Sequence, residues 1–147
     1  MITTILIDLY SKELDNLKNE INAYGSEEQV WKPIEGLQTT GGNLCLFLAG
    51  NLQHHIGATI GDSGYIRNKE AELKAKNVSR ERLMEEIENT RQVVVDTLEQ
   101  VSKAELLKIF STKDFEEPVT TEYYLVHLLN NFCFHLGQIN FHRKMAI

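Results

Sequence analysis

Apolar residues at Ile7, Tyr10, Leu14, Leu17, Ile21 and Tyr24 recur at alternating steps of three and four. That spacing gathers them into one narrow seam on a helix, whereas the two-residue alternation of a strand would scatter them over both faces. The chain is therefore predicted to start with a long amphipathic helix from about Thr3 to Tyr24, stopped by Gly25. Such a seam must be covered by other helices.

The sequence supplies them. After "SEEQVWKPIEGLQTTGG", a connection with Trp31 and Pro33, a second helix is expected from about Asn43 to Ile60, with Leu44, Phe47, Leu48, Leu52 and Ile56 repeating. "GDSGYIRNKEAELKAKN" reads as a long polar loop with one helical turn. Ser79 opens a third helix whose inward residues are Leu83, Ile87, Thr90, Val94, Leu98 and Val101. Ser102 and Glu105 have capping-box spacing ahead of a short helix, "KAELLKIF", and "STKDFEEPV" reads as a loop. Thr120 or Thr121 caps a final helix with the stripe Leu125, Leu129, Phe132, Leu136 and Ile139. The expected fold class is all-α, a four-helix bundle forming a single domain over residues 1–147, with a long loop between helices two and three and a short extra helix before the last. A loop of that length is usually functional or interfacial.

Composition removes several functions. Lys and Arg number 15 against 21 Asp and Glu, a net charge of −6, and no basic cluster with interleaved aromatics offsets it, so no nucleic acid is expected as a partner. The apolar start is broken by Asp8 and Lys12, too soon to span a bilayer, and it lacks a signal-peptide pattern. With no membrane partner indicated, the chain reads as cytoplasmic and soluble. Cys45 and Cys133 lack paired spacing and are expected to be buried small hydrophobes turned away from the face of Phe47 and His135.

The five histidines hold what chemistry there is. His127, His135 and His142 lie seven or eight residues apart, about 10–12 Å along one helix, too far to share a metal whose bonds are about 2.0–2.1 Å. The residue four before His135 is Asn131, a poor ligand for zinc or nickel. His54 and His55, near the end of helix two, suit the negative end of the helix dipole, and His142 suits the last turn for the same reason. His127 suits a hydrogen-bonded core position, and His135 suits either core or site.

The segments "NLCLFLAGNLQHHIG", "GYIRNKEAEL" and "HLLNNFCFHLGQINFHR", spread over nearly the whole chain, resemble the DinB/YfiT-like superfamily of bacterial four-helix bundles, and look like a DinB-like subfamily of it. The resemblance implies a divalent metal (zinc, nickel or iron) held by three histidines, one from helix two and an i, i+4 pair from the last helix. It also implies, for some members, thiol S-transferase chemistry, in which the metal activates a low-molecular-weight thiol toward an electrophile, and for others hydrolase- or isomerase-like activity. Homodimers paired through long helices are implied as well.

Position by position, the ligand set is incomplete. The helix-two histidine is replaced by Phe47 in "LFLAGNL", the first of the last-helix pair by Asn131, and only His135 remains. A phenyl ring cannot coordinate a cation, and Phe47 would fill the vacated volume, a burial worth about 1.5–3 kcal/mol. No cofactor is therefore expected. An irregular helix two could bring His54 or His55 to His135 or His127, or a dimer could join histidines across its interface. Arg67, in a sign-alternating stretch with Lys69, Glu70 and Glu72, suits either an ion-pair network or recognition of a thiol cofactor's carboxylate. Trp31 and Tyr65 suit lining of the same pocket mouth or simple packing. Two function classes follow: a non-catalytic or small-molecule-binding protein with a degenerate metal site, or a metal-dependent transferase or hydrolase with atypical ligands. A role in interaction alone, through the dimer surface, is the third.

Overall fold

In the computed structural model, which describes residues 1–110 and 112–147, four long helices surround one contiguous apolar core. They are α1 (Ile2–Ala23), α3 (Gly41–Leu52, carried on by a wide-turned segment over Gln53–Ile60), α5 (Arg80–Gln100) and α7 (Thr121–Met145). Helix α1 packs on α5 and α7, and α3 packs on the same two, so α1 and α3 face each other across one diagonal. Short elements fill the connections: α2 (Glu27–Val30), α4 (Lys69–Lys74), α6 (Lys103–Leu107), and β1 (Ile109–Phe110) paired antiparallel with β2 (Val119–Thr120). Among the described residues the chain is all-α apart from that two-residue strand pair.

The helix starts follow from side-chain caps. Thr40, Ser79 and Thr120 each accept the backbone N–H three residues on, and Ser102 and Glu105 form a reciprocal capping box. Inside, Tyr10, Leu14, Leu17, Ile21 and Tyr24 of the first seam are buried; Leu6 joins them, and Ile7 is half-buried. Leu83, Ile87, Thr90, Val94, Leu98 and Val101 are all buried. On α7 the buried face includes Leu128 where Leu129 was expected, Leu129 lying half-buried at its edge.

Three local expectations fail for identifiable reasons. Ile109 and Phe110 do not continue α6; they turn extended to pair with Val119 and Thr120, and Ser111 of the expected loop lies outside the described residues. Cys133 is exposed, not buried; Cys45 is buried. His142 stands in the last turn, but buried and hydrogen-bonded on both ring nitrogens rather than held there by the helix dipole alone: its Nδ1 accepts from the Tyr24 O–H (2.6 Å) and the Gly41 N–H (3.1 Å), and its Nε2–H donates to the Lys32 carbonyl (2.8 Å). A carbonyl accepts only, so these bonds fix a neutral tautomer. A Cβ on Gly41 would collide with the Tyr24 hydroxyl, so glycine there permits the close approach.

Burial holds the His142 pKa below the usual histidine value, and it pushes His55 down to about 4, with the charge of His54 adding to the effect. Between roughly pH 6.5 and 4 the unfolded chain takes up protons that the folded chain refuses, so stability falls as pH falls through that window. Urea denaturation is expected to give a lower midpoint at pH 5 than at pH 7, with the His142→Gln variant less stable by about 1–3 kcal/mol at pH 7 and shallower in its pH dependence.

Candidate functional site

Gly41 meets His142 where the start of α3 crosses the end of α7, and the two helices diverge in sequence from that point as antiparallel neighbours. Six residues on along α3 comes Phe47, about 9 Å from the crossing, and seven back along α7 comes His135, about 10.5 Å from it. Their rings accordingly meet, with centroids 5.2 Å apart and planes tilted by 44°. His135 Nδ1 donates to the Asn131 carbonyl one turn earlier (2.8 Å), which leaves Nε2 of the neutral ring with the lone pair. Asn131 thus meets His135 through its backbone.

Both rings line a cleft of about 840 Å³. Gly36 to Thr39 from the connection before α3, Leu44 of α3, Leu73 of α4, and Phe134, Gly137, Gln138, Phe141 and His142 of α7 complete its walls. Phe134 and Phe141 are 65% and 53% exposed, unusually open for aromatic rings on a surface helix. Phe47, His135 and Leu44 were legible in the helical pattern. Leu37, Leu73, Phe134 and Phe141 were not, because they stand outside the core stripes; apolar residues on a helix's polar face would have been the signal.

Arg67 forms the wall behind Phe47. Its Nε and Nη2 grip the Glu72 carboxylate at 2.9–3.2 Å, Nη1 donates to Asn51 Oδ1 (3.2 Å), and Nη2 also reaches the Phe47 carbonyl (3.3 Å). The guanidinium lies 4.9 Å from the centre of the Phe47 ring. The Glu72 side chain lies so close to Gly50 that a Cβ there would collide with its carboxylate. Arg67 is therefore bound within the protein, pinning the loop after α3 and the short α4 onto α3. Trp31 is buried, its Nε1–H donating to the Val78 carbonyl (3.1 Å), and Tyr65 is half-buried, its hydroxyl pKa raised chiefly by burial. Neither Arg67, Trp31 nor Tyr65 is among the residues lining the cleft.

The other histidines form a separate group further along. Helix α3 loosens from Gln53, where wider turns end with the Gly61 N–H bonded to the Ile56 carbonyl five residues back. His55 Nδ1 stands 2.8 Å from the Tyr124 hydroxyl, which also bonds the Asp114 carboxylate. The His54 ring is edge-on to His55 at 4.7 Å, and His127 is half-buried against Phe115 at 4.7 Å rather than in the core. His55 is thus a neutral group hydrogen-bonded to Tyr124. Irregular as helix two is, it carries His55 to Tyr124 and not to His135. Among the described residues no three His, Cys, Asp or Glu side chains gather closely enough to hold a metal ion.

No family model matches the chain, and no curated protein does. Among solved structures, the chain is similar to a conserved protein of Enterococcus faecalis known from its crystal structure, with a TM-score of 0.78 at 14% sequence identity. The match covers 99% of this chain and 97% of that one, so the fold is shared over nearly its whole length. Among the described residues no helix is long and apolar enough to cross a membrane.

Truncating one partner of the Arg67–Glu72 pair would strand a largely buried charge. Glu72→Ala is expected to cost about 3 kcal/mol in urea denaturation and to raise amide exchange over residues 61–77, whereas removing the exposed Glu70 is expected to change stability by no more than about 0.5 kcal/mol.

Proposed function

We propose that this chain is a DinB-like four-helix bundle that has lost the three-histidine metal site of that superfamily and uses the remaining cleft to bind a small molecule. One observation carries the reading: the Phe47 ring packs against His135, the position at which a ligand set would have to converge. The residues present do not fit a metal. His135 offers one imidazole nitrogen, Nδ1 being held by the Asn131 carbonyl, and its nearest counterparts are a phenyl ring and a backbone amide. A single nitrogen falls far short of the three protein ligands that a catalytic zinc site requires.

What remains has the properties of a binding site. The cleft volume of about 840 Å³ lies within the roughly 300–1,000 Å³ of small-molecule pockets. Six of its lining side chains are apolar or aromatic, Leu37, Leu44, Phe47, Leu73, Phe134 and Phe141, and Gln38, Thr39, His135, Gln138 and His142 supply polar groups. The walls are also preorganised, since the Arg67–Glu72 pair holds α4 in place and His142 fixes the crossing of α3 with α7. The arrangement of α1, α3, α5 and α7 around one core supports the bundle assignment.

Protein purified without an affinity tag is expected to carry well under one zinc, nickel or iron per chain by elemental analysis. Phe47→His combined with Asn131→His is expected to restore binding of about one zinc per chain. Stoichiometric metal in the unmodified protein, lost on His135→Ala, would overturn the reading. A folded double variant that stays metal-free would show that the ancestral ligand positions are misplaced.

A further inference from the structure

The cleft's rim carries a charge that its walls do not. Lys69 and Leu73 lie four apart on one face of α4; Leu73 lines the cleft, and Lys69 Nζ stands 5.5 Å from the centre of the Phe47 ring. The neighbouring charges are matched, Arg67 by Glu72 and Lys74 by Glu70. Lys69 is not: among the described residues no carboxylate lies within ion-pair distance of its Nζ. In a chain of net charge −6, an unmatched ammonium at the edge of an aromatic cleft selects the sign of whatever enters.

Resting on the reading of this cleft as a small-molecule site, we propose that its ligand is a compact aromatic carboxylate. The ring system would lie among Phe47, Phe134 and Phe141, where exposed aromatic edges and faces favour another aromatic over an aliphatic chain. The carboxylate would face Lys69 across Phe47. His135 Nε2, left as an acceptor, takes a ring N–H or O–H where the ligand has one, and the Gln138 amide serves either polarity.

Gly137 gives the test a clean block. It lines the cleft on α7, and a Cβ there would meet no heavy atom within 4 Å, so a larger side chain projects into open space. Replacing a helical glycine also favours the helix, so Gly137→Leu is expected to fold with an unchanged or raised Tm. The probes are 1-naphthylacetate and its neutral amide, 1-naphthylacetamide, followed by calorimetry and by chemical-shift mapping on the full chain. The acid is expected to bind about threefold more tightly than the amide at low salt, with the preference shrinking at high salt and vanishing in Lys69→Met. Both probes are expected to weaken at least tenfold in Gly137→Leu. Equal affinity of acid and amide, still blocked by Gly137→Leu, would overturn the carboxylate assignment while leaving the cleft as a binding site. No binding of either probe, or binding that Gly137→Leu leaves unchanged, would overturn both.

Discussion

The buried imidazole of His142 is the contact from which the site's geometry follows. It joins four segments: the end of α1 through Tyr24, the connection at Lys32, the first residue of α3 through Gly41, and the last turns of α7 that carry it. Every polar atom of the ring has a partner, so displacing it would leave a buried donor and acceptor unpaired, a cost larger than the net worth of the bonds themselves. The contact also sets register. Once Gly41 lies beside His142, antiparallel rise places Phe47 beside His135. Shifting α3 by one residue against α7 would turn its side chains by about 100° and separate both pairs.

A second constraint closes the cleft from the side. Helix α4 has only six residues, too few to be stable alone, and its Glu72 carboxylate is drawn inward by Arg67 onto the bare backbone of Gly50. The two charges are largely buried but answer each other, and Asn51 and the Phe47 carbonyl take further guanidinium donors. The arginine that approaches Phe47 is therefore charge-paired within the protein. Loop, α4 and α3 act as one wall, with α7 as the other. The cleft between them owes its apolar character to Phe134 and Phe141, which face outward from a helix whose opposite side builds the core.

The sequence carried the periodic part of this structure well. The stripe from Leu83 along α5 to Val101, just past its end, is buried residue for residue, and the caps at Ser79, Ser102 and Thr120 stand where their side-chain chemistry indicates. The all-α class followed from those patterns. What escaped was set by partners distant in sequence. Ile109 and Phe110 are apolar enough to extend a helix, but pairing with Val119 and Thr120 draws them straight. His142 sits among basic residues that suit a helix end, yet Tyr24 and Gly41, over a hundred positions away, bury it. Cys133 has helical phase near the edge of the buried stripe, where a small rotation decides exposure. Phe47 and His135 were each legible in the helical pattern, but the cleft beside them was not, since its volume depends on where α4 docks.

His135 faces the aromatic ring of Phe47, with its Nδ1 proton committed to the Asn131 carbonyl. Long-range proton–nitrogen correlation of the His135 imidazole at neutral pH, recorded before and after one equivalent of zinc, tests this most directly. A protonated Nδ1, an unprotonated Nε2 and no change on adding zinc are expected. A stoichiometric shift of the His135 Nε2 resonance, accompanied by shifts at two further protein donors, would contradict it.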